Sequence, residues 1–265
     1  MTDRTPAPAE QDAFLALAAA VAREAGAQLC EAFSRVEELR IATKSTVTDL
    51  VSEADVAAER LIRERLAGVR PDDGMLGEEG SDVAGSSGLR WVVDPLDGTV
   101  NFLFGIPQWS VSIAVEDGAG VVAGVVFDAM RDELWTATRD GEPCVNGAVV
   151  RRAERPDLAT ALVATGFGYD AGVRRVQAEI LGRLLPLVRD VRRLGSAALD
   201  LAWTAAGRYD AYFERGVNHW DRAAGELICA RAGLLITPLP AAPPSGPGVL
   251  VASEALTAAL RPLLD

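Results

Sequence analysis

The order of apolar patterns in this 265-residue chain predicts a layered α/β or α+β architecture, not a single doubly wound sheet. Two observations carry that expectation. Strand-like runs follow one another between residues 91 and 137 with no helix-length pattern among them. Helical patterns come in pairs instead, at 11–33 with 52–67 and at 173–187 with 196–207.

Residues 1–10, with two prolines and small side chains, read as a loose tail. The helix at 11–33 rests on Phe14, Leu17, Val21, Leu29 and Phe33, near helical spacing. A second helix over 52–67 is expected to open at Ser52, with Asp55 three places on as in a capping box. Trp91, Val92 and Val93 make a short buried strand running into Asp94. Strand-like runs at 110–117 and 120–127 predict a hairpin turned around Asp117 and Gly118, with a further strand at 133–137. The second half gives a strand at 161–165, helices at 173–187 and 196–207, and a strand at 209–214. A helix at 221–232 and short strands at 234–237 and 248–252 follow. The stretch 238–248 holds five prolines and two glycines and reads as a loop before a final helix near Ser253.

Composition narrows the function classes. A net charge of −12 argues against nucleic acid as a partner, because phosphate-backbone binding runs on Lys and Arg. It leaves a small phosphorylated substrate open if bound cations reverse the field locally. Cys30, Cys144 and Cys229 have no close spacing and suggest reduced thiols, neither a zinc site nor a disulfide framework. The apolar run from Ala13 to Ala22 is short for a bilayer span, and its acidic flank (Asp3, Glu10, Asp12) makes a poor signal peptide. A cytoplasmic protein without a membrane partner is the expectation.

Acidic motifs carry the chemistry. Glu78 and Glu79 lie in GEE (77–79), Asp94 and Asp97 in DPLDGT (94–99), and Asp221 in WDRAAG (220–225). Hard cations such as Mg²⁺ take carboxylate and carbonyl oxygens, and a metal pair needs several acids around one pocket. Each motif has a plainer reading. Asp-Pro and Asp-Gly are common turn dipeptides, the Glu pair suits a solvated loop, and an acid in a first helical turn complements the dipole. The functional reading gives DPLDGT more content. Two aspartates at the mouth of a buried strand can face one metal pair, and the helix start after Gly98 and Thr99 offers N–H groups to a phosphate.

Other phosphatase chemistries fail on inspection. A cysteine phosphatase needs Arg six places after Cys, where this chain has Val36, Val150 and Leu235. The single histidine, His219, excludes a phosphohistidine mechanism that uses a second histidine. No GxxxxGK[ST] loop is present, and Asp94 and Asp97 lack the spacing of aspartyl-phosphate enzymes.

Together with KSTVTDLVSEAD (44–55) and GSAALD (195–200), these motifs resemble the inositol monophosphatase family from about residue 12 to the C-terminus. The resemblance implies an α+β fold, a layered αβαβα sandwich, as one domain over 1–265. It implies a homodimer that depends on Mg²⁺, with two to three ions per site, and is inhibited by Li⁺. Glu78, Asp94 and the Leu96 carbonyl would hold one metal; Asp94, Asp97 and Asp221 would hold a second; a third would sit near Glu78. Glu78 would orient and deprotonate the attacking water, Thr99 would support it through a hydrogen bond to Asp55, and Lys44 would lie at the edge of the site. Gly98 and Thr99 N–H groups would bind the phosphate. Glu214, with backbone groups of Gly195, Ser196 and Ala197, would hold the hydroxyls of a small phosphorylated polyol, myo-inositol 1-phosphate, near Asp221. Residues 166–169 (GFGY) read as a pocket rim or a plain turn, and the Gly/Ser stretch 80–88 as a mobile loop over the third metal. Arg222 is a departure that adds charge beside Asp221.

Two alternatives stay open. Phosphatases acting on fructose 1,6-bisphosphate, histidinol phosphate or 3′-phosphoadenosine nucleotides share the metal motifs. A non-catalytic regulatory protein on the same fold is the more distant one.

Overall fold

The computed structural model describes residues 6–42, 47–80, 82–153 and 155–264. Lys44 therefore lies outside the described residues. Helices α1 (Pro8–Ala42) and α2 (Val47–Val69) precede strands β1 (Gly74–Gly77), β2 (Asp82–Val83) and β3 (Arg90–Asp97). After the short helix α3 (Thr99–Leu103) come β4 (Ser110–Asp117), β5 (Gly120–Asp128), β6 (Glu133–Thr138), β7 (Cys144–Val145) and β8 (Ala148–Val149). The second half runs β9 (Leu162–Thr165), α4 (Ala171–Leu184), β10 (Asp190–Arg192), α5 (Ala197–Ala205), β11 (Ala211–Arg215), α6 (His219–Arg231), β12 (Leu235–Leu239), β13 (Gly248–Ala252) and α7 (Glu254–Leu264).

Two mixed sheets result. The first has eight strands in the order β2-β1-β3-β4-β5-β6-β7-β8, and the second has five in the order β10-β9-β11-β13-β12. Side chains alternate across each sheet, and three apolar layers follow from that alternation. Trp91 and Val93 of β3, with Val111, Ile113 and Val115 of β4, face the helix pair α1–α2. Val92 and Ala114 turn the other way, toward α5, α6 and the inner face of the second sheet, which supplies Tyr212, Val249 and Val251. Val163, Phe213 and Leu250 face outward onto α4 and α7. The order is helix pair, sheet, helix pair, sheet, helix pair: a layered α+β sandwich.

Local details differ from the sequence reading in instructive ways. Helix α1 begins at Pro8, inside the expected tail, where the missing proline N–H costs nothing because a first-turn N–H has no intrahelical acceptor; Ala7 O receives the N–H groups of Glu10 and Gln11. Among the described residues, Pro8–Val36 is the one stretch long and apolar enough to cross a membrane, longer than the Ala13–Ala22 run suggested. Its stripe of Phe14, Ala18, Val21, Ala25, Leu29 and Phe33 is buried on the first sheet. Helix α2 begins at Val47, so Ser52 sits inside it and is not its N-cap; Ala54, Ala58, Ile62 and Leu66 give a core-facing stripe. The 80–88 stretch, described apart from residue 81, does not hang free. Val83 and Asp82 pair with Met75 and Leu76, and Ser86 and Ser87 N–H groups donate to Asp72 O.

Candidate active site

The DPLDGT segment continues β3 instead of ending it. Asp94 pairs with Ser112 and Asp97 with Ser110, so three steps on β3 oppose two on β4: a β-bulge. Pro95, which has no N–H to give a ladder, falls within it. Inside the bulge the Leu96 N–H donates to Asp94 Oδ1 at 3.0 Å, an Asx-type turn. Gly98 then sits at φ +100, and a Cβ there would come within 2.9 Å of Gln108 O. Only glycine supplies both that left-handed backbone and that approach.

Asp221 arrives from the second half of the molecule. It is the third residue of α6, and its Oδ2 accepts the Asn218 N–H at 2.6 Å, so it closes the helix start while facing the cavity. Small residues set the depth of that helix. Ala224 lies on Gly124 of β5, and Gly225 lies against Leu201 of α5, each at a distance that a Cβ on the glycine would violate. Arg222 pairs along the helix with Glu226 at 2.6 Å. His219 binds Glu116 at 2.8 Å and does not line the cavity.

Carboxylate oxygens of Glu78, Asp94 and Asp221 lie within 4.8 Å of one another. They line a cavity of about 350 Å³ that also takes in Leu96, Asp97, Gly98, Thr99, Gly195, Ala197 and Glu214. Residues 166–169 form its rim, so the pocket reading of GFGY holds over the plain turn. The electrostatics are one-sided. Burial pushes Asp97 up to about 7, with Asp221 adding to it. Burial likewise raises Asp221 to about 6, and Asp94 well above its usual range, where Asp97, Glu78 and Asp221 add repulsion. Glu78 is raised too, by burial first and then by its acidic neighbours. Acids crowded in this way resist ionising together, and a hard divalent cation among their oxygens reverses that penalty. The donor set is all oxygen and fits such a cation.

Several expected site residues sit elsewhere than the sequence suggested. Asp97 is tied to α5: its carboxylate accepts from Ser196 Oγ at 2.5 Å, Ala198 N at 2.8 Å and Ala197 N at 3.2 Å. Ser196 is fully buried and outside the cavity lining, with its hydroxyl on Asp97. The Ala197 N–H is directed at Asp97 in the same way. Thr99 Oγ1 donates to the Leu96 carbonyl at 3.0 Å, not to Asp55. Asp55 is buried outside the lining, with Oδ1 lacking a partner among the described residues. Burial, then Glu79 and Glu78, raise it to about 8.

The polyol end, as the sequence reading named it, is built on β11. Glu214 lines the cavity and accepts from Tyr212 OH at 2.9 Å. Burial raises it to about 7, against the opposing Tyr212 hydroxyl and Arg193 charge. Arg193 also lines the cavity and was missed in the sequence, where it is one of a run of arginines with no motif to single it out.

A model of the inositol monophosphatase family matches residues 10–263. The chain is 50% identical over 210 residues to the inositol-1-monophosphatase SuhB of Mycobacterium tuberculosis, covering 75% of this chain and 72% of that one. A solved structure of Mycobacterium tuberculosis SuhB superposes with a TM-score of 0.81 at 40% identity, covering 96% of each chain. A protein of Xylella fastidiosa named Nus factor SuhB is 43% identical over 213 residues, 80% of this chain and 77% of that one.

Proposed function

The chain belongs to the inositol monophosphatase family, a family of phosphatases, and on that premise we propose that it is a Mg²⁺-dependent phosphomonoesterase acting on myo-inositol 1-phosphate. The observation that carries the proposal is the meeting of Glu78, Asp94 and Asp221 within 4.8 Å at the wall of a cavity that also holds Glu214. A cavity of about 350 Å³ suits a phosphorylated ring of inositol size.

Glu78, Asp94 and Asp221 would hold the cations, with Asp97 and the second lone pair of the Leu96 carbonyl adjoining. When bound, two to three Mg²⁺ would supply positive charge to the phosphate oxygens and acidify a water. The remaining work falls to the chain's own groups. Glu78, exposed on the cavity wall, would take the proton of the attacking water. Gly98 and Thr99 N–H groups, at the left-handed start of α3, would bind phosphate oxygens. The three hydrogen bonds from α5 fix Asp97, and Tyr212 fixes Glu214 as an acceptor for a ring hydroxyl. A homodimer, Li⁺ inhibition and a cytoplasmic location complete the proposal on the strength of the family resemblance.

Phosphate release tests it, with Mg²⁺ and with EDTA, on inositol 1-phosphate, fructose 1,6-bisphosphate, histidinol phosphate and 3′-phosphoadenosine 5′-phosphate. The expected result is EDTA-sensitive release, fastest from inositol 1-phosphate. Preference for another ester keeps the metal site and discards the substrate; no release from any discards the enzyme reading. The name of the Xylella relative supports a second reading, a role in transcription, and no release together with capture of transcription proteins is the outcome that favours it.

A further inference from the structure

Arg193 is an exposed cation at the wall of an acid-lined cavity, with its charge felt by Glu214. Among the described residues, two basic ones line that cavity, Arg193 and Arg215. Arg215 is turned away, with its guanidinium donating to the carbonyls of Pro240 and Leu264. Arg193 has no hydrogen bond or ion pair to any described residue; its guanidinium carbon sits 5.7 Å from the centre of the Phe167 ring, over its face. Such a stack fixes the plane of the group and leaves its N–H donors available.

Two glycines hold the pair of charges at the cavity wall. A Cβ on Gly195 would lie 2.4 Å from an Arg193 nitrogen, so the guanidinium rests over bare backbone there. A Cβ on Gly166 would lie 2.0 Å from a Glu214 carboxylate oxygen, so that carboxylate occupies the matching space one residue before Phe167. Arg193 and Glu214 thus converge on one wall, the first held by a ring and the second by the Tyr212 hydroxyl at 2.9 Å. One is a donor only and the other, when ionised, an acceptor only. Adjacent hydroxyls satisfy both, since each hydroxyl can donate to a carboxylate and accept from a guanidinium.

We propose that Arg193 is a specificity-determining residue, donating to one hydroxyl of the bound polyol while Glu214 accepts from its neighbour, so that the pair recognises a vicinal diol on a phosphate monoester. The inference rests on the phosphatase reading above and names its substrate class. The opposite charges of the pair cancel, so this end of the cavity matches a neutral, oxygen-rich group. A second phosphate placed there would gain Arg193 but meet the Glu214 carboxylate, which selects against bisphosphates. Phe167 acts as a positioning residue through Arg193.

The test is steady-state kinetics of the full chain in Mg²⁺ on inositol 1-phosphate and on p-nitrophenyl phosphate, which has no hydroxyls to read. Arg193→Gln should raise KM for inositol 1-phosphate about tenfold with kcat little changed, the loss of one charged hydrogen bond. Both constants for p-nitrophenyl phosphate should stay within about twofold. Arg193→Lys should recover part of the loss, and Phe167→Leu should move KM the same way by about threefold, because the guanidinium loses its platform. An unchanged KM for inositol 1-phosphate, or equal losses on both esters, overturns the inference; a shift in oligomeric state with equal losses does so as well, by assigning Arg193 to packing. A wild type inactive on both esters overturns the phosphatase reading itself, whereas an active wild type indifferent to Arg193→Gln overturns this inference alone.

Discussion

At the β3 end of the cavity Asp94 faces Glu78, Asp97 and Asp221, and burial with mutual repulsion raises all four carboxyls. At the β11 end Glu214 is just as deeply set, yet it faces the Tyr212 hydroxyl and the Arg193 charge, and both oppose the rise. The same side-chain chemistry therefore does different work in the two places. The first cluster gathers carboxylate oxygens that could hold a cation. At the second, a hydroxyl and an opposite charge from the chain itself offset part of the rise, which still brings Glu214 to about 7. A phosphatase for a polyol needs one end of each kind, and the difference lies in the neighbours, not in the carboxylates.

The sharpest way to break the comparison is Asp94→Asn. Asp94 contributes to the cation cluster from the centre of the bulge, so activity should fall about a thousandfold or more while the fold is kept, read by phosphate release and circular dichroism. Wild-type-like turnover in that variant removes the β3 end from the chemistry.

Glu214→Gln should act on the other end alone. It should lower kcat/KM for inositol 1-phosphate by about ten- to a hundredfold and spare p-nitrophenyl phosphate, since a charged acceptor to ring hydroxyls is lost. Equal damage to both esters would mean that the two ends are not separate.

The imbalance at the β3 end should also appear as pH-dependent stability. Carboxyls whose folded pKa is raised bind protons more tightly in the native state, so they favour folding below the unfolded value. That contribution is lost as pH rises through the folded values, about 6 for Asp221, about 7 for Asp97 and about 8 for Asp55. In EDTA the melting temperature should therefore fall between about pH 5 and 8, and Mg²⁺ should restore most of the loss at the upper end. A melting temperature flat in pH, or one that Mg²⁺ leaves alone, contradicts the reading.

The smallest effect is expected from Ser196→Ala, which removes one of three donors to Asp97. A stability loss of about 1 kcal/mol and a weaker Mg²⁺ affinity would fit a role in positioning Asp97. Denaturant melts and Mg²⁺ titration of activity read both.

Much of this was legible from local pattern. The 110–117 and 120–127 hairpin lies where the sequence put it, because two valine-rich runs flank a turn marked by Asp117 and Gly118. Strands β1, β7 and β8 are two to four residues long and offer no period to read. The Ser52–Asp55 pattern misled for the opposite reason: a four-residue cap signal does not by itself fix a helix start, and α2 already begins at Val47. At the site, residue types were readable but partners were not. Nothing near Ser196 in the chain points to Asp97, which is 99 residues away. The bulge at Pro95 is a register between two strands, and the Arg193–Phe167 stack joins two loops. Such facts belong to the packed molecule, and they separate a ligand from the residue that positions it.

The contrast between the two ends is tested most directly by titrating the metal-free protein with Mg²⁺ at pH 7 in a calorimeter, in two buffers of different ionisation enthalpy. The expected result is saturable binding that releases protons, because carboxyls raised toward neutrality must give them up to the cation, together with loss of that signal in Asp94→Asn and its retention in Glu214→Gln. Mg²⁺ binding that is absent from the wild type, or that persists unchanged in Asp94→Asn, would contradict it.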